Sequence, residues 1–328
     1  MRLAHLHIPH LVPFTHASHL QQTLVSRLLT HKKLSDTFSN SPTHLQQPPP
    51  DPTILTFTPH PVYTTGRRDL PPSNPTSGTS SASTPSSNPH STLDLNLPTP
   101  LHPIRHLLTP TSSQPAIAEF QSTLRGGQTT YHGPGQLVAY TILDLRRLRL
   151  GPRQHIRLLE RSVLDVLDSY GVEGAGLSEK DPGVWVDNAQ SRSDHNRERK
   201  PEGNAEEGEN GLLPRKVAAV GVHLRRNVSS YGIGLNVTEE PMWFFRQITA
   251  CGLEGRDTTS LVGCGVKFDN DGDIMRQVAE RFVSAFVKRV NEVGTAEAVD
   301  CCCETGGGVG IEEVYSTTER EVLGDGGE

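Results

Sequence analysis

The sequence predicts one mixed α/β domain of the α+β kind, a mixed sheet flanked by helices, and three observations carry that prediction. Strand-like runs at 54–58 (ILTFT), 137–145 (LVAYTILDL), 184–186 (VWV), 216–225 (KVAAVGVHLR) and 230–237 (SYGIGLNV) are interleaved with segments whose apolar residues recur at helical spacing. The last two runs are separated only by a short polar link, so they form an antiparallel hairpin, which argues against an all-parallel sheet. Setting aside the low-complexity stretches leaves about 220 to 240 foldable residues, the size of a single domain.

The elements follow in chain order. THASHLQQTLVSRLLTHKK, residues 15–33, places Leu20, Leu24, Leu28 and His31 on one helical face, with Thr15 and Ser18 available as caps. The same stretch is poor in acid and rich in Arg, Lys and His, so a mitochondrial presequence is the competing reading. Residues 71–100 begin as a nearly pure Pro, Ser, Thr, Asn and Gly tract that cannot bury enough apolar surface to offset its ordering entropy, and a disordered insertion is expected there. Residues 151–171 carry Pro152 where a helix can begin, Ile156, Leu159, Val163, Val166, Leu167 and Tyr170 at helical spacing, and Gly171 at the end. A second insertion is expected at 188–213, charged and punctuated by glycine. Ile274, Val278, Phe282 and Phe286 mark another amphipathic helix. Thus 1–290 is expected as the folded domain and 291–328 as a disordered acidic, glycine-rich tail.

Composition narrows the function classes. Only 34% of the 328 residues are hydrophobic and 5% aromatic, which is low for a fully packed chain. The formal net charge of −6 lacks the basic excess of a nucleic-acid binder, so nucleic acid is not an expected partner. No apolar run reaches membrane-spanning length, and a soluble intracellular protein is expected. The five cysteines, Cys251, Cys264, Cys301, Cys302 and Cys303, have neither zinc-ligand spacing nor a disulfide framework, and no metal is expected.

RGGQTTYHGPGQ, residues 125–136, is the densest chemical signal. It matches neither phosphate-loop pattern and runs into a strand rather than a helix, so no helix N-terminus is available to hold a phosphate. HGPG alone makes a good tight turn, which leaves Arg125, Gln128, Tyr131 and His132 unexplained. A polar set on a glycine-rich backbone suits a loop that approaches a ligand closely. Cys251 by itself reads as a small buried hydrophobe, and Lys216 as a solvated lysine opening a strand.

The glycine-loop block, then KVAAVGVHLRRNVSSYGIGLNV, then ACGLEGRDTTSL resemble, in that order, the lipoyl(octanoyl) transferases, and PTILTFTPHPVYTTGRR is similar to the strand and turn preceding the loop in that family. The resemblance implies a fold like the catalytic domains of biotin and lipoate protein ligases. It further implies that Cys251 attacks the thioester of octanoyl acyl carrier protein, that Lys216 favours the thiolate, and that the acyl-enzyme thioester is resolved by a lysine amine of a lipoyl domain. By the same resemblance Arg125, Gly126, Gly127, Gln128, Thr129, Thr130, Tyr131 and His132, with Ala219, Val220, Gly221, Gly232, Ile233 and Gly234, line the acyl pocket. The family usually has proline before the cysteine, where this chain has Ala250.

The implied donor is octanoyl acyl carrier protein, and the implied acceptors are lipoyl domains of 2-oxoacid dehydrogenase E2 subunits and the glycine cleavage H protein. No cofactor is implied, a monomer is expected, and the location is mitochondrial for a eukaryotic chain and cytoplasmic otherwise. The readings that compete are an ATP-dependent lipoate-protein ligase, a transferase moving octanoyl groups between lipoyl-carrying proteins, and a catalytically dead acyl-protein binding module.

Overall fold

The computed structural model describes residues 1–38, 48–69, 97–179, 181–187, 213–248, 257–268, 273–300 and 310–324. In chain order the elements are β1 (Arg2–Val12), α1 (Phe14–Phe38), β2 (Thr53–Pro59), β3 (Val62–Thr65), a 3-10 helix (Thr99–Ile104) leading into α2 (Arg105–Leu108), β4 (Glu119–Ser122), β5 (Thr130–His132) and β6 (Gln136–Ile142). Then come α3 (Pro152–Ser169), β7 (Ala175–Leu177), β8 (Val184–Val186), β9 (Arg215–Arg225), β10 (Val228–Asn236), α4 (Glu240–Phe245), α5 (Ile274–Asp300), β11 (Glu313–Thr317) and α6 (Glu319–Leu323).

Eight strands form the main sheet in the order β11-β1-β2-β6-β10-β9-β8-β7. β1 pairs in parallel with both β11 and β2, and every pair from β2 to β7 is antiparallel, so the sheet is mixed as expected. The hairpin between β9 and β10 turns on Arg226 and Asn227, both at positive φ (51° and 63°), the two-residue geometry that suits the strand twist. β4-β3-β5 make a second, smaller sheet.

Helices cover the main sheet on both faces. α3 and α5 pack Leu159, Val163, Val166, Val278, Phe282 and Phe286 onto Ile54, Leu137, Ala139, Ala218 and Ile233. On the other face α1 buries Leu20, Leu24 and Leu28 against Leu55, Phe57, Val138 and Tyr140, the stripe read from the sequence. α3 begins as its sequence indicates, with Pro152 at the first position and Gln154 Oε1 accepting the Gly151 amide at 2.7 Å.

Two boundaries differ from expectation. The region expected as a tail rejoins the domain: α5 continues to Asp300, β11 extends the sheet beside β1, and Ile311 and Val322 are buried. Its five-residue strand is too short and acidic to stand out, and its sheet partner lies at the opposite end of the chain. The first insertion also ends earlier than expected, since Leu97 and Leu101 are buried beneath the small sheet with Tyr63 and Tyr131. Residues 70–96, 188–212 and 301–309, which hold most of both expected insertions and Cys301 to Cys303, lie outside the described residues.

Candidate active site

Against the main sheet, the 125–132 loop, β9 and β10 enclose a cavity of about 250 Å³. Of the residues singled out in the sequence, Arg125, Gly126, Gly127, Gln128, Thr130 and His132 line it from the loop, Ala219, Val220 and Gly221 from β9, Gly232, Ile233 and Gly234 from β10, and Lys216 from the start of β9. The register explains the grouping: Gly221 faces Gly232, Val220 faces Ile233 and Ala219 faces Gly234 across the hairpin.

Small residues are required at the seams. The Gly126 amide donates to Val222 O at 3.0 Å, docking the loop on β9. A Cβ on Gly221 would approach the Arg125 side chain to 3.2 Å, and one on Gly66 would collide with Gly127 O at 2.2 Å.

Arg125 acts as a structural clamp rather than a free cation. Its buried guanidinium donates to both the carbonyl and the hydroxyl of Thr64 at 2.9 Å and to Gly126 O at 3.1 Å. His132 is buried beside it, stacked under Phe14, and burial, aided by the Arg125 charge, lowers its pKa to about 4. The imidazole is therefore neutral near pH 7. Its Nδ1 bonds Gln136 Oε1, the Gln136 amide donates to Asn236 Oδ1 at 2.7 Å, and the Asn236 amide donates to Thr259 O at 2.9 Å.

Thr129 and Tyr131 do not line the cavity. Strand alternation turns them away from the face that carries Thr130 and His132. Thr129 is held by Asp69, its hydroxyl 2.6 Å from the carboxylate, and Tyr131 stacks on Phe244 in the core beneath the small sheet.

Lys216 is buried. Its ammonium donates to Pro182 O at 3.3 Å and lies 4.5 Å from the centre of the Trp185 ring. The turn beneath it is pinned from α3, where Glu160 accepts the Gly183 amide at 2.8 Å and a hydrogen bond from Arg157 at 3.0 Å. The backbone of Lys216 is paired on its other flank, its amide donating to Asp257 O at 3.0 Å and its carbonyl accepting from Thr259 at 2.9 Å. Cys251 lies outside the described residues.

Phe14, Arg68, Tyr140, Ile156, Asp181 and Tyr231 also line the cavity, and sequence reading singled out none of them for the site. The DPG tripeptide at 181–183 was a visible turn signal. Nothing local in the sequence marks the others, which are brought in by tertiary packing. Among the described residues no group of three or more His, Cys, Asp or Glu is arranged to hold a metal ion, and no helix is long and apolar enough to cross a membrane.

Residues 106–286 match the family model of the lipoyl protein ligase A/B catalytic domain. A probable octanoyltransferase of Schizosaccharomyces pombe is 32% identical over 259 residues, covering 79% of this chain and 84% of that one. An octanoyltransferase of Bordetella petrii is 38% identical over 180 residues, covering 55% and 72%. Among solved structures, a putative lipoate protein ligase from T. acidophilum with bound lipoic acid aligns over 98% of this chain and 90% of its own, at a TM-score of 0.45 and 12% identity.

Proposed function

The chain belongs to the lipoyl protein ligase A/B catalytic domain family, as an octanoyltransferase, and from that premise we propose that it carries an octanoyl group from octanoyl acyl carrier protein to a lysine of a lipoyl domain through a thioester on Cys251. The acceptors of this reading are the lipoyl domains of 2-oxoacid dehydrogenase E2 subunits and the glycine cleavage H protein. The observation that carries it is a cavity lined by a buried lysine and, on the β9–β10 hairpin, by the small residues Ala219, Gly221, Gly232 and Gly234, which leave room for a hydrocarbon chain.

In this mechanism the Cys251 thiolate attacks the donor's thioester carbonyl. The bond to the donor sulfur breaks, and that sulfur leaves as a thiol after taking a proton. The lysine amine of the acceptor then attacks the acyl-cysteine, forming an amide and returning the thiol. A free thiol is only a few per cent ionised near neutral pH, and a neighbouring ammonium raises that fraction. Lys216 suits the task because burial strengthens its field and its named contacts, a carbonyl oxygen and a ring face, leave its charge uncancelled. The backbone pairing of Lys216 with Asp257 and Thr259 holds residues 257–259 alongside the lysine.

Intact-mass measurement after incubation with octanoyl acyl carrier protein, without ATP, tests the reading. A single octanoyl adduct is expected, removed by hydroxylamine and not formed as a thioester by Cys251→Ser. Labelling that appears only with ATP would replace this reading with a ligase.

A further inference from the structure

Four non-glycine residues among those described have positive φ, and three of them, Arg149, Arg226 and Asn227, lie outside the strands. The fourth, Tyr231 at 61°, lies inside β10. A tyrosine rarely occupies that region, and a strand interior does not call for it, so the surrounding structure must hold it there. Three elements do. The Tyr231 amide donates to Gln21 Oε1 of α1 at 2.6 Å, its hydroxyl accepts from the Leu124 amide at the start of the glycine loop at 3.3 Å, and its ring meets Tyr140 of β6 edge-on at 5.4 Å. Tyr140 is in turn braced by Phe57 at 5.0 Å.

The unusual backbone gives the ring a particular place. Along β10 the next cavity positions are Gly232, Ile233 and Gly234, two of the three without a side chain, and Gly221 faces Gly232 from β9. Tyr231 pairs with Val222, six residues along β9 from Lys216, which is on the order of 20 Å of strand. Between the lysine and the two rings the strands line the cavity with Ala219, Val220, Ile233 and the three glycines, and along the strands the rings lie at the opposite end of that stretch from Lys216.

The geometry points to Tyr231 and Tyr140 as the residues that set acyl-chain length: they close the channel beyond the methyl end of a medium-length saturated chain whose carboxyl end lies toward Lys216. This rests on the acyltransferase reading above. Tyr231→Gly removes the ring while suiting the positive φ, and Tyr140→Leu shortens the wall from the other strand.

Transfer to an isolated lipoyl domain is compared for octanoyl and dodecanoyl acyl carrier protein. The wild-type protein prefers octanoyl, Tyr231→Phe keeps the wild-type ratio of the two donors, and Tyr231→Gly and Tyr140→Leu each raise the dodecanoyl to octanoyl ratio at least tenfold. A ratio unchanged in whichever of these two variants is folded and still transfers octanoyl overturns the proposal while leaving the reaction intact. If both lose their fold by circular dichroism, the rings are core supports and the proposal also falls. Wild-type protein that transfers neither acyl group overturns the acyltransferase reading, and chain-length control with it.

Discussion

The Lys216 ammonium sits 4.5 Å from the centre of the Trp185 ring, on a turn whose Pro182 carbonyl is its hydrogen-bond acceptor. In the proposed mechanism a cation kept in that seat acts on the Cys251 thiol through its charge, so removing the charge while keeping the stem isolates its contribution. Lys216→Met is expected to slow acyl-enzyme formation by about 10²- to 10⁴-fold, followed by intact mass over time. A rate near that of the wild type would remove Lys216 from the mechanism.

The seat itself depends on Gly183. Its φ of 132° is open to glycine alone, and a Cβ there would come within 2.6 Å of Ala218 O and 3.3 Å of Lys216 Cε. Gly183→Ala should cost more than about 1 kcal/mol in urea unfolding and slow acylation as well. Gly176 provides the comparison, since a Cβ there meets nothing within 4 Å. Gly176→Ala should stay within about 0.5 kcal/mol.

Burial lowers the pKa of His5, His132 and His155 to about 4 in each case. The unfolded chain, with ordinary histidines near 6.5, then binds more protons than the folded one between pH 4 and 6.5. Stability is complete above pH 6.5 and falls as the pH drops toward 4, by up to about 3 kcal/mol per residue. His155, on α3 and bonded to Thr141 at 3.3 Å, lies outside the cavity, so His155→Leu should make this slope shallower without touching the site. Urea unfolding at pH 7.5 and 4.5 measures it. An unchanged slope would show that His155 does not titrate as its burial requires.

The C-terminal strand tests the revised domain boundary. Deleting 310–328 removes the buried Ile311 and Val322, each worth roughly 1.5–3 kcal/mol, together with the ladder between β11 and β1. A Tm lower by about 10 °C is expected, whereas a dispensable tail would leave it unchanged.

What was legible in the sequence was local. The β9–β10 hairpin, α3 with its proline start, and the Leu20, Leu24 and Leu28 stripe each carry their signal within a few residues. So does the glycine loop, because close approach to β9 demands residues without side chains. β11 escaped because its partner strand lies some three hundred residues away in the chain. Glu160 escaped, and so did the place of the 181–183 turn in the site, because only the packing of α3 against the sheet brings them under Lys216. Tyr231 gave no sign either: a positive φ is signalled by glycine or asparagine, and a tyrosine there is imposed by its neighbours.

Tyr131 separates the sequence reading of the loop from its geometry. As a wall residue its hydroxyl would meet the acyl group, and Tyr131→Phe would lower transfer. In the structure the ring is fully buried, stacked on Phe244 at 4.2 Å and edge-on to Tyr63 at 5.3 Å. Its hydroxyl presses on Gly133, where a Cβ would lie 2.0 Å away, and has no hydrogen-bond partner among the described residues. An unpaired buried hydroxyl costs about 1–3 kcal/mol, and burial, with smaller contributions from Tyr63 and Glu240, pushes its pKa well up from the usual tyrosine value. Tyr131→Phe should therefore leave octanoyl transfer intact and keep or raise stability, by up to about 1 kcal/mol in urea unfolding. A tenfold loss of transfer in a variant of wild-type stability would return Tyr131 to the acyl pocket and require the loop to turn over when substrate binds.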